Sequence, residues 1–137
     1  MKININRVLL LIIFLVSATS CIKQAPENVE MNMLAGRYIS EKYDSETLEL
    51  WDSMLFEHEF KGLDGRMVKD SGSFSSPLKV DDVWFLGMKG FYSKYSFDAG
   101  ELEEPDNSFT FEIYKKNGGI MLCHIEDSDN SNCFIKE

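Results

Sequence analysis

Positive charge, cysteine and long apolar runs are all scarce in this sequence of 137 residues. It has 14 Lys and Arg against 23 Asp and Glu, a formal charge of −9. That balance argues against a nucleic-acid partner and against binding anionic lipid through the protein surface. The longest N-terminal apolar run, Val8 to Val16, is nine residues. A membrane-spanning helix needs roughly 20, so this run is too short to be one. No Gly-x-Ser-x-Gly, His-Glu-x-x-His or phosphate-binding glycine loop occurs, and with them go the readily legible hydrolase, metalloprotease and nucleotide-binding readings. Repeats and low-complexity tracts are also missing. There are three cysteines, Cys21, Cys123 and Cys133, and two histidines, His58 and His124.

What is present begins with an address. Lys2 and Arg7 precede the Val8–Val16 run, and Ser17-Ala18-Thr19-Ser20 leads into Cys21. A basic start, a short apolar core and small residues before a cut site make a secretory signal. Ala18-Thr19-Ser20-Cys21 resembles the bacterial lipobox, with Ala18 where Leu is usual. That resemblance implies a lipoprotein cut before Cys21, acylated (palmitate or a related chain) on that cysteine and held in a bacterial envelope. Several acyl chains at about 0.8 kcal/mol per buried methylene make a durable anchor. Ile22 follows the cysteine rather than Asp, so the expected location is the outer membrane, facing the periplasm. The organisation that follows is a signal peptide over 1–20, a lipidated Cys21 with a polar tether over 21–32, and one domain over 33–137. Residues 1–20 carry two positive charges and no negative one, so their removal moves the balance from −9 to −11.

Outside the cytoplasm disulfides persist, and with Cys21 lipidated two cysteines remain. In CHIEDSDNSNC they bracket a segment rich in turn formers. With the hairpin tip at Ser128, Cys123 and Cys133 lie directly opposite, at a spacing that suits a disulfide. The metal readings are weaker. A calcium loop needs Gly at its sixth position, where Asn132 stands. A zinc site of Cys123, Cys133, His124 and His58 has Cys123 and His124 on opposite faces of a strand. A stapled hairpin is the expected reading, with no metal and no cofactor.

The remaining pattern is mainly β. Phe56-Glu57-His58-Glu59-Phe60 alternates cleanly, so Glu57 and Glu59 point away from His58, which reads as a half-buried core residue and not a catalytic one. Further strands are expected around Leu34–Ser40, Ser71–Phe74, Val80–Leu86, Phe91–Phe97, Phe109–Ile113 and Gly119–Ile125. Asn117-Gly118-Gly119 marks a turn into the last hairpin. Leu48, Trp51 and Leu55 fit a helix, but Leu48 and Leu50 also alternate, and the β surroundings favour a strand. His124 shares a face with Leu122 and Glu126, expected to be the outer one. About eight strands with short turns fit a small antiparallel meander closing into a barrel.

The order of landmarks, Leu34-x-Gly36-x-Tyr38, Thr47–Leu50, Phe56, Gly65, Gly72-Ser73-Phe74 and Lys116-Asn117-Gly118-Gly119-Ile120-x-Leu122, resembles the small lipocalin-like barrels of bacterial envelope lipoproteins. The resemblance implies that fold; the same fold hosts many jobs. Two functions follow as expectations, neither enzymatic. The first is an acidic inhibitor or immunity-type lipoprotein that neutralises a basic toxin or cell-wall hydrolase. Its binding residues would be Asp98, Glu101, Glu103, Glu104 and Asp106, five acids between two expected strands, together with Trp84; of the adjacent Trp84 and Phe85 one faces outward, and with Tyr92 and Tyr114 it can form an exposed aromatic patch. The second is a carrier or sensor of a small apolar ligand in a cavity lined by Phe56, Phe60, Phe74, Phe97, Phe109 and Phe111.

Overall fold

The computed structural model describes residues 23–101, 105, 108–127 and 130–137. The expected signal peptide and the expected lipidation site Cys21 lie outside them. Nine strands form in chain order: β1 Gly36–Ser40, β2 Thr47–Leu50, β3 Leu55–Lys61, β4 Met67–Phe74, β5 Leu78–Val80, β6 Val83–Lys89, β7 Phe109–Lys116, β8 Gly119–Asp127 and β9 Asn130–Lys136. Two short helices, α1 Met31–Leu34 and α2 Lys94–Asp98, flank and interrupt them. Neighbouring strands are antiparallel throughout. β9 returns to pair with β1, and β4 pairs with β6.

The sheet closes as an eight-stranded barrel because β4 and β5 are two halves of one bent strand. Both pair with β6: Phe74 faces Met88, and Leu78 faces Phe85. The register advances by one residue between these pairs, which leaves Ser76 and Pro77 together across from Leu86. This is the two-against-one count of a bulge, and Pro77 has no N–H to give the ladder. The hairpin tip after β5 is Asp81-Asp82, both at positive φ (48° and 65°). Asn117-Gly118, at 53° and 78°, does the same between β7 and β8. Paired positive φ values suit the twist of two-residue hairpins.

Inward positions follow the alternation of each strand. Leu48, Leu50, Phe56, Phe60, Leu86, Met88, Phe111, Ile113, Leu122 and Phe134 are fully or almost fully buried, each such side chain contributing about 1.5–3 kcal/mol. The segment expected to be a tether lies on the barrel from its first described residues. Gln24 exchanges backbone hydrogen bonds with Lys115 at 2.9 and 2.7 Å. Val29 and Leu34 are buried in the core, and the Tyr38 hydroxyl donates to the Leu34 carbonyl at 2.7 Å. This segment has apolar residues, Val29, Met31 and Met33, that need cover.

Thr47–Leu50 is a strand, not part of a helix. Val80–Leu86 is broken by the Asp81-Asp82 turn. Phe91–Phe97 is not a strand: Gly90 turns the chain at φ 89°, and α2 forms with Phe97 N–H bonded to the Ser93 carbonyl at 2.9 Å. Residues 90–101 of the β6–β7 connection pack over one end of the barrel, with Phe97 against Phe60 and Phe91 fully buried inside. The β8–β9 hairpin forms with Cys123 facing Cys133, and the two are disulfide-bonded with Cα atoms 4.1 Å apart.

Closing so short a loop stabilises the fold by about 3 kcal/mol in the chain-entropy account. The double variant Cys123→Ala, Cys133→Ala is therefore expected to lose stability on that scale in urea unfolding. An unchanged midpoint would mean that the hairpin is held by its ladder alone.

Candidate functional site

The interior is not uniformly apolar. His58 sits mid-β3 on the inward face and is fully buried; Glu57 and Glu59 point outward, as their alternation requires. Two other carboxylates reach it instead. Asp70 lies directly opposite on β4, and its Oδ1 is 2.7 Å from Nδ1. Glu46 ends the β1–β2 turn, where Ser45 takes a positive φ of 65°. Glu46 is two residues before Leu48, which faces His58. That parity turns Glu46 inward, and its Oε1 is 2.9 Å from Nε2. His58, Glu46 and Asp70 are 0%, 1% and 8% exposed, so the whole trio is cut off from bulk water.

The remaining carboxylate oxygens are also occupied. Asp70 Oδ2 accepts the Tyr92 backbone N–H at 2.9 Å. Glu46 Oε2 accepts Asn132 Nδ2 at 2.9 Å, and Asn132 Oδ1 accepts the Ser40 hydroxyl at 2.7 Å. Ser40 Oγ in turn accepts the backbone N–H groups of Lys42 and Tyr43. The chain of bonds thus links β1, the β1–β2 turn, β3, β4, β9 and the β6–β7 cap.

A carboxylate at each ring nitrogen calls for a proton on both, because a carboxylate accepts and a neutral imidazole donates only once. Burial by itself would lower the His58 pKa. The hydrogen bonds and charges of Asp70 and Glu46 outweigh it and hold the pKa above its ordinary value. The ring also lies stacked on Phe91, centroids 4.4 Å apart, where an aromatic face favours a cation. The second histidine is held in the opposite state. His124 lies on the inner face, not the outer one expected, across from Asn132. Phe109 and Phe111 meet it edge-on at 4.9 and 5.3 Å. Burial pushes its pKa down to about 4, with Glu126 and Glu46 offsetting the shift only in part and the His58 charge adding to it.

Sealed and fully bonded, the trio offers no ring nitrogen to a substrate. Ser40 Oγ, the hydroxyl in its network, is committed to Asn132. Among the described residues, no group of three or more His, Cys, Asp or Glu is placed to hold a metal ion. The arrangement suits holding a charge in place.

The residues expected to bind are distributed differently. Phe56, Phe60, Phe74 and Phe111 are buried, and Phe109 and Phe97 are half-buried. Phe91 lies among three of them, its ring centroid 4.4 Å from that of Phe109, 5.1 Å from Phe111 and 6.0 Å from Phe56, while Phe74 and Phe109 border an open pocket of about 370 Å³ with Met88. Phe97 belongs to α2 and packs on Phe60 at 5.4 Å. The aromatic patch of Trp84, Tyr92 and Tyr114 does not assemble: Tyr92 is buried against Phe97, and Trp84 is half-buried with its Nε1 donating to the Pro26 carbonyl at 3.1 Å. Asp98 pairs with Lys94 and accepts the Leu63 N–H at 3.1 Å. Glu101 is exposed. Glu103, Glu104 and Asp106 lie outside the described residues.

Sequence reasoning missed Glu46, Asp70, Asn132 and Ser40. A signal existed: Glu46 shares the parity of Leu48 and Leu50, and Asp70 that of Phe74, so each is a polar residue in an inward slot.

The two histidines give stability opposite dependences on pH. The His58 pKa is raised on folding, so its contribution is complete below about pH 6.5 and is lost as pH rises through the folded value. The His124 pKa is lowered, so its contribution is complete above about pH 6.5 and falls away towards pH 4, by up to about 3 kcal/mol. Urea unfolding across pH should show both limbs, and His124→Leu should flatten the one between about pH 4 and 6.5. Asp70→Asn, which removes one counter-charge from a buried cation, should cost about 3–5 kcal/mol at pH 7. A loss below about 1 kcal/mol, the value of a surface pair, would contradict the burial argument.

Comparison with protein-family models, with curated proteins and with solved structures finds no match to this chain.

Proposed function

We propose that this chain is a lipid-anchored, non-enzymatic binding protein of a bacterial envelope, of the inhibitor or immunity type, which neutralises a basic protein that attacks the wall. The observation that supports the reading is Phe91, which packs inside the barrel among Phe56, Phe109 and Phe111. With that ring inside and His58 sealed against it, the outer surface is the favoured place for binding. That surface belongs to a chain of net charge −9, and to one of −11 once residues 1–20 are removed. Many wall-degrading proteins are cationic, and long-range attraction between opposite charges raises association rates. A disulfide-stapled barrel with a bonded polar core is a rigid platform, which limits the ordering cost of binding.

The anchor belongs to the same proposal. Lipid on Cys21 would keep the domain at the membrane, and the docked segment from Lys23 onward would hold the barrel close to it. The alternative, a carrier of a small apolar ligand, would require Phe91 to leave the space it fills.

The test is binding of the detergent-solubilised whole chain to a panel of basic cell-wall hydrolases, followed by calorimetry, with fluorescent fatty acids measured alongside. The expected result is a hydrolase complex whose affinity falls about tenfold or more from low to half-molar salt, as screening of surface charge requires, and no fatty-acid uptake. Glu101→Gln, Glu103→Gln and Glu104→Gln together should weaken it by slowing association, because they reduce the long-range attraction wherever the partner docks. Salt-independent affinity would remove the electrostatic rationale, and stoichiometric fatty-acid uptake would establish the carrier instead.

A further inference from the structure

The outward faces of β2, β3 and β4 carry an arrangement that the fold itself does not use. Glu49 on β2 faces Glu57 on β3 directly across the ladder. Both are exposed. Like charges in opposed positions are destabilising in a sheet, and the neighbouring rows avoid it. Glu59, next along β3, faces Lys69 and pairs with it at 3.1 Å. Arg37, which faces Glu49 from β1, turns instead to Glu137 at 3.3 Å. Among the described residues neither Glu49 nor Glu57 has an ion-pair partner within 4 Å; Lys69, paired with Glu59, feels the Glu57 charge only from farther off.

At the ends of the same strands two large apolar side chains stand in solvent. Trp51 is 38% exposed and Leu55 51%. Beside them runs a groove of about 480 Å³, with Trp51 and Leu55 on one side and Lys89 on the other. Between them lie Ser71, Gly72, Ser73 and Gly90. A Cβ at Gly72 would meet the Lys89 carbonyl oxygen at 1.9 Å, and one at Gly90, where φ is +89°, would meet that of Ser71 at 2.9 Å. The strands approach so closely there that only glycine fits. Glu57 faces Ser71, which borders the same trough.

We propose that this groove is the docking surface for a protein segment that presents an arginine or lysine next to an apolar side chain. The cation lies between Glu49 and Glu57 and relieves their repulsion. The apolar neighbour covers Trp51 and Leu55, an aromatic-centred contact of the kind that dominates interface energy. Lys89 on the far wall donates to a main-chain carbonyl of the segment. The proposal rests on the outer-surface reading of function and assigns it a place, away from the acidic 98–106 connection.

The experiment uses the detergent-solubilised whole chain, 15N-labelled, titrated with two blocked dipeptides, acetyl-Arg-Leu-amide and acetyl-Glu-Leu-amide. Amide shifts should move at Glu49, Trp51, Leu55, Glu57, Gly72 and Gly90 with the arginine probe and not with the glutamate probe. Glu49→Gln with Glu57→Gln should reduce that affinity at least fivefold while raising the thermal midpoint, because a like-charge pair has been removed; a misfolded variant cannot mimic that combination. Equal shifts with both probes, or no shift at these positions, overturns the proposal. Shifts clustered at Glu101 instead would overturn this surface and leave the inhibitor reading standing. Failure of every basic hydrolase to bind would count against that reading independently of the dipeptides.

Discussion

An imidazolium held between two carboxylates inside the barrel is the constraint on which the rest of this structure depends. Taking three charged groups out of water costs several kcal/mol for each ion. That cost is offset only while every partner is in place. Asp70 needs β4 in register with β3, Glu46 needs the β1–β2 turn with its strained Ser45, and Asn132 needs β9 beside β1. Tyr92 needs the β6–β7 cap. A one-residue slip of β4 would carry Asp70 to the solvent face and leave the buried cation with a single counter-charge. The network therefore specifies one closure of the barrel more than it adds stability to it.

That constraint also shapes what the barrel can do. A charged ring with an aromatic lid leaves the centre filled: Phe91 stacks on His58 and meets Phe109 and Phe111 on its other sides. His124, a few ångströms away among the same rings, is kept neutral. The two histidines are one electrostatic unit, since the positive charge on His58 is among the reasons His124 resists protonation. With Phe91 and His58 committed in this way, the outer strand faces and the connections are the surfaces most open to a partner. On one such face the opposed Glu49 and Glu57 have no ion pair of their own beside exposed Trp51.

Much of the architecture was legible in the sequence, and the reasons are local. Phe56, His58 and Phe60 alternate without a break, so β3 could be read directly. The turn formers between Cys123 and Cys133 fixed a hairpin register in which the two cysteines meet. Asn117-Gly118 marked its turn by the backbone conformation it favours. The buried network was not legible. Glu46 and Asp70 occupy inward slots, but an acid in such a slot is informative only once its cross-strand neighbour is known, and that depends on register between segments 12 residues from His58 on either side. The helix at Lys94–Asp98 was hidden because Phe91, Tyr95 and Phe97 also satisfy a period of two. The docking of the N-terminal segment was hidden by its polar composition, although Val29 and two methionines carried the signal.

The most direct measurement is the protonation state of the two histidines, read from the ring 15N and 1H shifts of the labelled whole chain between pH 4 and pH 9. The account requires His58 to remain doubly protonated well above the ordinary histidine range, with both ring protons protected from solvent exchange. It requires His124 to stay neutral at pH 6 and to titrate only near pH 4. A His58 ring that is neutral at pH 7, or that titrates near 6.5 as a free histidine does, would contradict the charged core and with it the explanation of how this barrel closes.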